Sequence, residues 1–114
     1  MNESDAVLLR GILDAARRIQ LYISGKQRED LEEEGELRGY AVVKGIEVIG
    51  EAANHISPET RMELPSVEWG NIIGMRNRLI HAYTSIDYDV VWDVATNKIP
   101  VLIPELEKIF LDPQ

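Results

Sequence analysis

The chain has no cysteine, so neither a disulfide framework nor a thiolate metal site is open to it. No apolar run reaches the length of a transmembrane span. There is no glycine-rich phosphate loop, no internal repeat, no low-complexity linker and no strand-like alternation of useful length. Basic residues are in short supply: 12 Lys and Arg stand against 20 Asp and Glu, a net charge of −8. That balance argues against a generic nucleic-acid binder with a broad basic face. The two histidines, His55 and His81, lie too far apart in the chain to make a good ligand set, so no metal and no cofactor are expected. The first residues, Met1-Asn2-Glu3-Ser4-Asp5, are polar and acidic and do not read as a signal peptide. The expectation is a cytoplasmic protein without membrane contact.

What is present is a folded, helical composition. Of 114 residues 45% are apolar, enough for one domain, residues 1–114, with a core of its own. Leu8, Ile12, Ala15, Ile19 and Tyr22 recur every three or four residues and predict a first amphipathic helix. Ser4 or Asp5 is its expected N-cap and Ser24-Gly25 its stop. Residues 26–38 hold six acids against three bases and read as a solvated loop or helix face, with Leu31 and Leu37 available to pin it.

A second helix is expected from about Glu36 to Ile56. Tyr40, Val43, Ile46, Glu47 and Gly50 line one side of it, and Val42, Ile49, Ala53 and Ile56 widen the apolar face. Gly45 and Gly50 inside it each cost about 1 kcal/mol relative to Ala and point to a closely packed neighbour. His55 reads as a structural or cap residue, and Glu51, among small residues, as one that can face a cleft. Ser57-Pro58-Glu59-Thr60 starts a short helical turn that Leu64-Pro65 breaks. Ser66 is then the expected cap of a third main helix burying Trp69, Ile72, Ile73, Met75, Leu79 and Ile80. Asp87 or Asp89 caps the next helix; Pro100 and Pro104 are expected to bend or interrupt it, and Pro100 can open a last segment striped by Val101, Leu102, Leu106, Ile109 and Phe110. The architecture predicted is an all-α antiparallel bundle of four or five helices.

The stretch Gly74-Met75-Arg76-Asn77-Arg78-Leu79-Ile80-His81-Ala82-Tyr83 carries the chemistry. Arginine binds phosphate through a planar fork of donors, histidine moves protons near neutral pH, and asparagine donates and accepts. The same residues also fit the polar flank of an ordinary core helix. Residues five apart lie about 140° apart around a straight helix, so Arg76 and His81 do not share a face, whereas Asn77 and His81 do. Arg76 and His81 serve one site only if the helix ends or bends near His81, or if two copies of the chain assemble it across a two-fold axis. The turn-like Thr84-Ser85-Ile86-Asp87 favours an ending near Tyr83.

Ile49-Gly50-Glu51-Ala52-Ala53, Trp69, the run from Ile72 to Tyr83, Asp87 and Val91-Trp92, in this order and spacing, closely resemble the HepT-like branch of the HEPN superfamily. The signature is Arg, a polar residue, a spacer and His, with Tyr two residues on: here Arg76, Asn77, His81 and Tyr83. Ala82 stands where the family often has Gly, and Thr84-Ser85 is more polar than the usual aromatic-glycine pair. The resemblance implies a HEPN four-helix bundle forming a homodimer whose two motifs face a shared cleft. It implies a metal-independent endoribonuclease, the toxin of a type VII-like toxin–antitoxin pair. Its antitoxin would be a minimal nucleotidyltransferase of the MntA type that transfers AMP onto Tyr83. Arg76, Asn77 and His81 would be the catalytic residues and an RNA, such as a tRNA or mRNA, the substrate. The resemblance also admits a non-catalytic HEPN subunit that docks on, or binds substrate for, a nucleotidyltransferase.

Overall fold

A computed structural model describes residues 1–81 and 85–111, with the backbone alone described at Ile80, His81 and Leu111. The elements run α1 (Glu3–Ile23), two short 3-10 turns (Arg28–Glu32 and Glu34–Glu36), α2 (Leu37–Asn54), α3 (Pro58–Glu63) and α4 (Trp69–Leu79). They continue through β1 (Ile80–His81), β2 (Ser85–Ile86) and α5 (Tyr88–Asp93), which passes through a π-helical turn (Val94–Lys98) into α6 (Ile99–Leu111). The all-α bundle expected from periodicity is therefore present, with one short antiparallel strand pair added at the end of α4.

The helices alternate in direction. Arg38 on α2 donates to the Tyr22 carbonyl of α1, and Gly45, further along α2, faces Ile19, earlier on α1. Between α1 and α6, Arg17 pairs with Glu107 at 2.8 Å and Arg10 lies 4.4 Å from the centroid of the Phe110 ring. Leu9, Ile12, Leu13, Ile19, Ile46, Ile49, Leu79, Val91, Ile99 and Leu106 are fully buried in the core where these helices meet. The first stripe holds at Ile12, Ala15 and Ile19, while Leu8 and Tyr22 lie at its half-buried margin.

Several local expectations are corrected. Asn2, not Ser4 or Asp5, caps α1, its side chain accepting from the Asp5 N–H at 2.7 Å. Asp5 is buried and accepts instead from the Ser57 N–H, the Ser57 hydroxyl and the Thr60 hydroxyl, so it ties α1 to the start of α3. These hydroxyls, Ser57 first and then Thr60, hold the Asp5 carboxyl below its ordinary range. Leu31 pins the acidic stretch from a fully buried position, but Leu37 is exposed. Arg28 completes that anchor, bonding Glu32 and Asp89. Tyr40 is also exposed, so the α2 face through Val43 and Ile46 does not extend to it. Ser57 caps α3 as expected, but Ser66 does not cap α4, and its hydroxyl donates to Glu105 at 2.7 Å. Trp69 is half-buried with its indole N–H on the Leu64 carbonyl. Of the two candidates Asp87 caps α5, accepting from the Val90 N–H.

Pro100 opens the last helix as its second residue, directly after the π turn, and Pro104 does not interrupt it. The Ile99 N–H reaches back five residues to the Val94 carbonyl, and this wider turn displaces the carbonyl that the Pro100 ring would meet in a regular helix. Pro104 lies on the solvent side, where water can satisfy the carbonyl its missing N–H leaves without a donor.

Candidate functional site

The site is built where α4 stops. The last fully helical residue is Leu79, and Ile80 and His81 are already extended, paired antiparallel with Ile86 and Ser85. A β-branched residue at 80 favours that change. The Asp87 N–H closes on the Leu79 carbonyl at 2.7 Å, satisfying one of the acceptors that a helix end leaves open. The break falls inside the motif, so Arg76 and Asn77 lie on the last helical turn and the His81 backbone lies two residues beyond it. This realises the first of the two conditions under which Arg76 and His81 can act together. It also removes the shared helical face of Asn77 and His81, because the helix does not reach residue 81. Tyr83 lies outside the described residues, as do the side chain of His81 and any contact it makes.

Arg76 lies over the α2–α4 contact. Its Nε donates to Glu47 Oε2 at 3.0 Å, and no partner engages its terminal nitrogens among the described residues. It borders an open groove of about 440 Å³ lined also by Leu8, Lys44, Glu51 and His55. Asn77 is exposed, with no side-chain partner among the described residues. Arg78, two residues from Arg76 and so about 200° away around the helix, lines a different groove with Lys98 and donates to the Asn71 carbonyl of its own helix.

The carbonyl end of a helix carries partial negative charge and does not attract phosphate. Anion binding at this end must come from guanidinium groups, and the last turn of α4 supplies Arg76 and Arg78. His55 is the C-cap of α2, its Nδ1 2.9 Å from the Glu51 carbonyl, as a cap reading requires. The Glu51 carboxylate is 3.9 Å from the same ring nitrogen and lines the groove, so it does face a cleft. Among the described residues no three His, Cys, Asp or Glu side chains converge in a way that would hold a metal.

Sequence reasoning missed Glu47 as the partner of Arg76 and placed it among the core positions of α2. The available signal was an acid set between Ile46 and Val48 and one turn before a glycine. Lys44, one turn further back, was missed as well.

An all-α antiparallel bundle with Arg-Asn on a final helical turn and His in the strand that follows is the class this fold and site define. Residues 12–109 match the family described as Ribonuclease HepT-like, and the chain belongs to that family. Among similar proteins, "Putative RNase MJ1380" of Methanocaldococcus jannaschii is 40% identical over 68 residues, 60% of this chain and 62% of that protein. "Probable ribonuclease HepT" of Thermococcus cleftensis is 36% identical over 70 residues, 61% of this chain and 64% of that one. A longer M. jannaschii protein, "Gamma-glutamylcyclotransferase and putative RNase MJ0434", is 31% identical over 109 residues, 96% of this chain and 49% of that one. The matched stretch thus spans less than two thirds of each relative's length. No solved structure gives a significant match. No helix among the described residues is long and apolar enough to cross a membrane.

Proposed function

We propose that the protein is a metal-independent endoribonuclease whose motif is Arg76, Asn77 and His81. The observation that carries the reading is the ending of α4 at Leu79, which lets residues five apart contribute to one site. Membership of the HepT-like family and the names of its relatives support the reaction class.

In this reading the ribose 2′-oxygen attacks the adjacent phosphorus as the bond from phosphorus to the 5′-oxygen breaks. The products are a 2′,3′-cyclic phosphate and a 5′-hydroxyl end. His81 takes the proton from the 2′-hydroxyl or delivers one to the leaving 5′-oxygen, a role typically worth about 10²–10⁴-fold. The terminal nitrogens of Arg76 stabilise the charge growing on the phosphoryl oxygens. Asn77, exposed beside them, holds a phosphate oxygen or the His81 ring.

The chain acts as a two-fold homodimer that brings two motifs to one cleft, and it is the toxin of a toxin–antitoxin pair. A cognate minimal nucleotidyltransferase silences it by transferring AMP to the Tyr83 hydroxyl, with pyrophosphate leaving from ATP. The added phosphate repels RNA and the added nucleoside blocks the cleft.

The test is cleavage of cellular RNA by the purified, unmodified protein in EDTA, beside Arg76→Ala and His81→Ala. Cleavage that survives EDTA, leaves cyclic-phosphate ends and disappears in both variants is the expected result. A folded dimer with unmodified Tyr83 that cuts none of a broad RNA panel would replace this reading with that of a docking subunit of a nucleotidyltransferase. The exposed Leu37 and Tyr40 on α2 would then be its contact residues.

A further inference from the structure

We infer that Glu47 is the positioning residue of Arg76, holding its guanidinium by one edge so that both terminal NH2 groups face the substrate. The inference rests on the ribonuclease reading for its consequence, and on the contact between α2 and α4 for its geometry. These helices run antiparallel. A Cβ on Gly50 would lie 3.3 Å from the Ile72 carbonyl oxygen and 3.5 Å from that of Ile73, so the backbones come close there because residue 50 has no side chain. One turn back along α2 from Gly50 is Glu47, and one turn on along α4 from Ile72 and Ile73 is Arg76. The close approach at Gly50 therefore brings a short carboxylate within reach of a long guanidinium, at 3.0 Å.

The choice of nitrogen matters. Glu47 takes the bond from Nε, the donor nearest the stem and the one least able to reach a phosphate. The four N–H bonds of the terminal nitrogens have no partner among the described residues. A carboxylate opposing the whole fork would compete with the phosphate, whereas one on Nε fixes the plane of the fork and leaves its outer edge open. Glu47 is also well placed to be rigid. Its α2 neighbours Ile46 and Ile49 are fully buried, and its own side chain is about one-third exposed. The clamp restricts rotation of Arg76 before substrate arrives, which removes an ordering cost from the bound state. Glu51 does not share this role, since its ionic contact among the described residues is with His55, at 3.9 Å.

The experiment compares wild type, Glu47→Gln, Glu47→Ala, Arg76→Ala and the Glu47→Ala/Arg76→Ala double variant. It measures kcat and KM on RNA, thermal stability, and the NMR signal of the Arg76 Nε–H. Loss of the clamp should lower kcat by about 10- to 100-fold with KM little changed, and the change in melting temperature that Glu47→Ala causes should vanish once Arg76 is gone. In wild type the Arg76 Nε–H should exchange slowly with water, and it should exchange fast in Glu47→Ala. An unchanged kcat in Glu47→Ala, or an equal change in melting temperature with and without Arg76, overturns the inference. If wild type cuts no RNA, the ribonuclease reading fails on its own and the exchange measurement decides the clamp. Equal exchange of the Arg76 Nε–H with and without the Glu47 carboxylate overturns it.

Discussion

Gly39→Ala should destabilise the protein although it replaces the second-worst helix former with the best. Gly39 is in the first turn of α2, buried between the Arg28–Glu32 turn and the start of α5. A Cβ there would lie 2.4 Å from the Leu31 carbonyl oxygen and 2.5 Å from Tyr88 Cε1. Ordinary contacts are about 3.3–3.6 Å for carbon to oxygen and about 3.5–4.0 Å for carbon to carbon, so each is short by about 1 Å. The two obstacles belong to different elements, so α2 cannot relieve both by one displacement. Leu31 is fully buried and Tyr88 is 6% exposed, which leaves neither free to give way. Overpacking of this kind costs about 1–3 kcal/mol, and the upper end applies with two rigid obstacles. The helix-propensity gain returns about 1 kcal/mol. The net is a loss of about 2 kcal/mol, or a Tm lower by roughly 8 °C. Gly11→Ala is the internal control. Gly11 lies within α1 and an added Cβ meets nothing within 4 Å, so that variant should gain about 1 kcal/mol. Thermal and urea melts followed by circular dichroism measure both. A Gly39→Ala protein as stable as Gly11→Ala would refute the packing argument.

Two further outcomes follow from charge. Asp5 is a carboxylate whose pKa is lowered on folding, so the stability it contributes is complete above its unfolded pKa of about 3.9. It is lost as pH falls through the lower folded value. Wild type should exceed Asp5→Asn in urea midpoint at about pH 6, with the gap narrowing as pH falls below about 3.9; a gap independent of pH would contradict the assignment. For RNA held at two phosphates by Arg76 and Lys44, the affinity of the His81→Ala protein for a single strand should fall with salt at a logarithmic slope of about −1.4. Lys44→Ala should flatten it by about 0.7. A slope steeper than about −4, read by fluorescence anisotropy, would show a wide basic contact instead.

The helices were legible because their signal is local. The stripe Ile12, Ala15, Ile19 and the caps Ser57 and Asp87 depend on residues within a turn or two. The end of α4 was legible only to within a turn, since the turn-like residues 84–87 pointed to an ending near Tyr83 and the helix stops at Leu79. What stayed hidden depends on partners distant in the chain. Asp5 looks like a cap for its own helix, but its hydroxyl partners arrive 52 and 55 residues later. Glu47 looks like a polar interruption of a core face until Arg76, 29 residues on, is laid across it. Gly39 gave no sign of its role, because the crowding comes from Leu31 and Tyr88 in two other elements. Pro100 was legible as the opening of the last segment, whereas Pro104 misled because propensity forbids proline in a helix interior and its exposed position lets water satisfy the freed carbonyl.

The acidic excess of this chain bears on how an RNA would be chosen. Most of the arginines are committed to the fold. Arg17 bonds Glu107, Arg28 bonds Glu32 and Asp89, Arg38 and Arg61 hold backbone carbonyls, and Arg10 covers Phe110. Only a few cationic groups therefore remain for a phosphate backbone. In the groove beside the motif they are Lys44 and the terminal nitrogens of Arg76, with Glu47 and Glu51 among them. Such a surface gives little affinity for a featureless strand, because non-specific binding scales with the number of phosphates neutralised. The chain's net charge of −8 also opposes the general approach of RNA. An enzyme built this way would cut only where a folded or distorted RNA presents one phosphodiester to Arg76. Selectivity would then come from shape and from the placing of that single guanidinium, which is the reason a clamp on its Nε matters more here than it would on a basic protein.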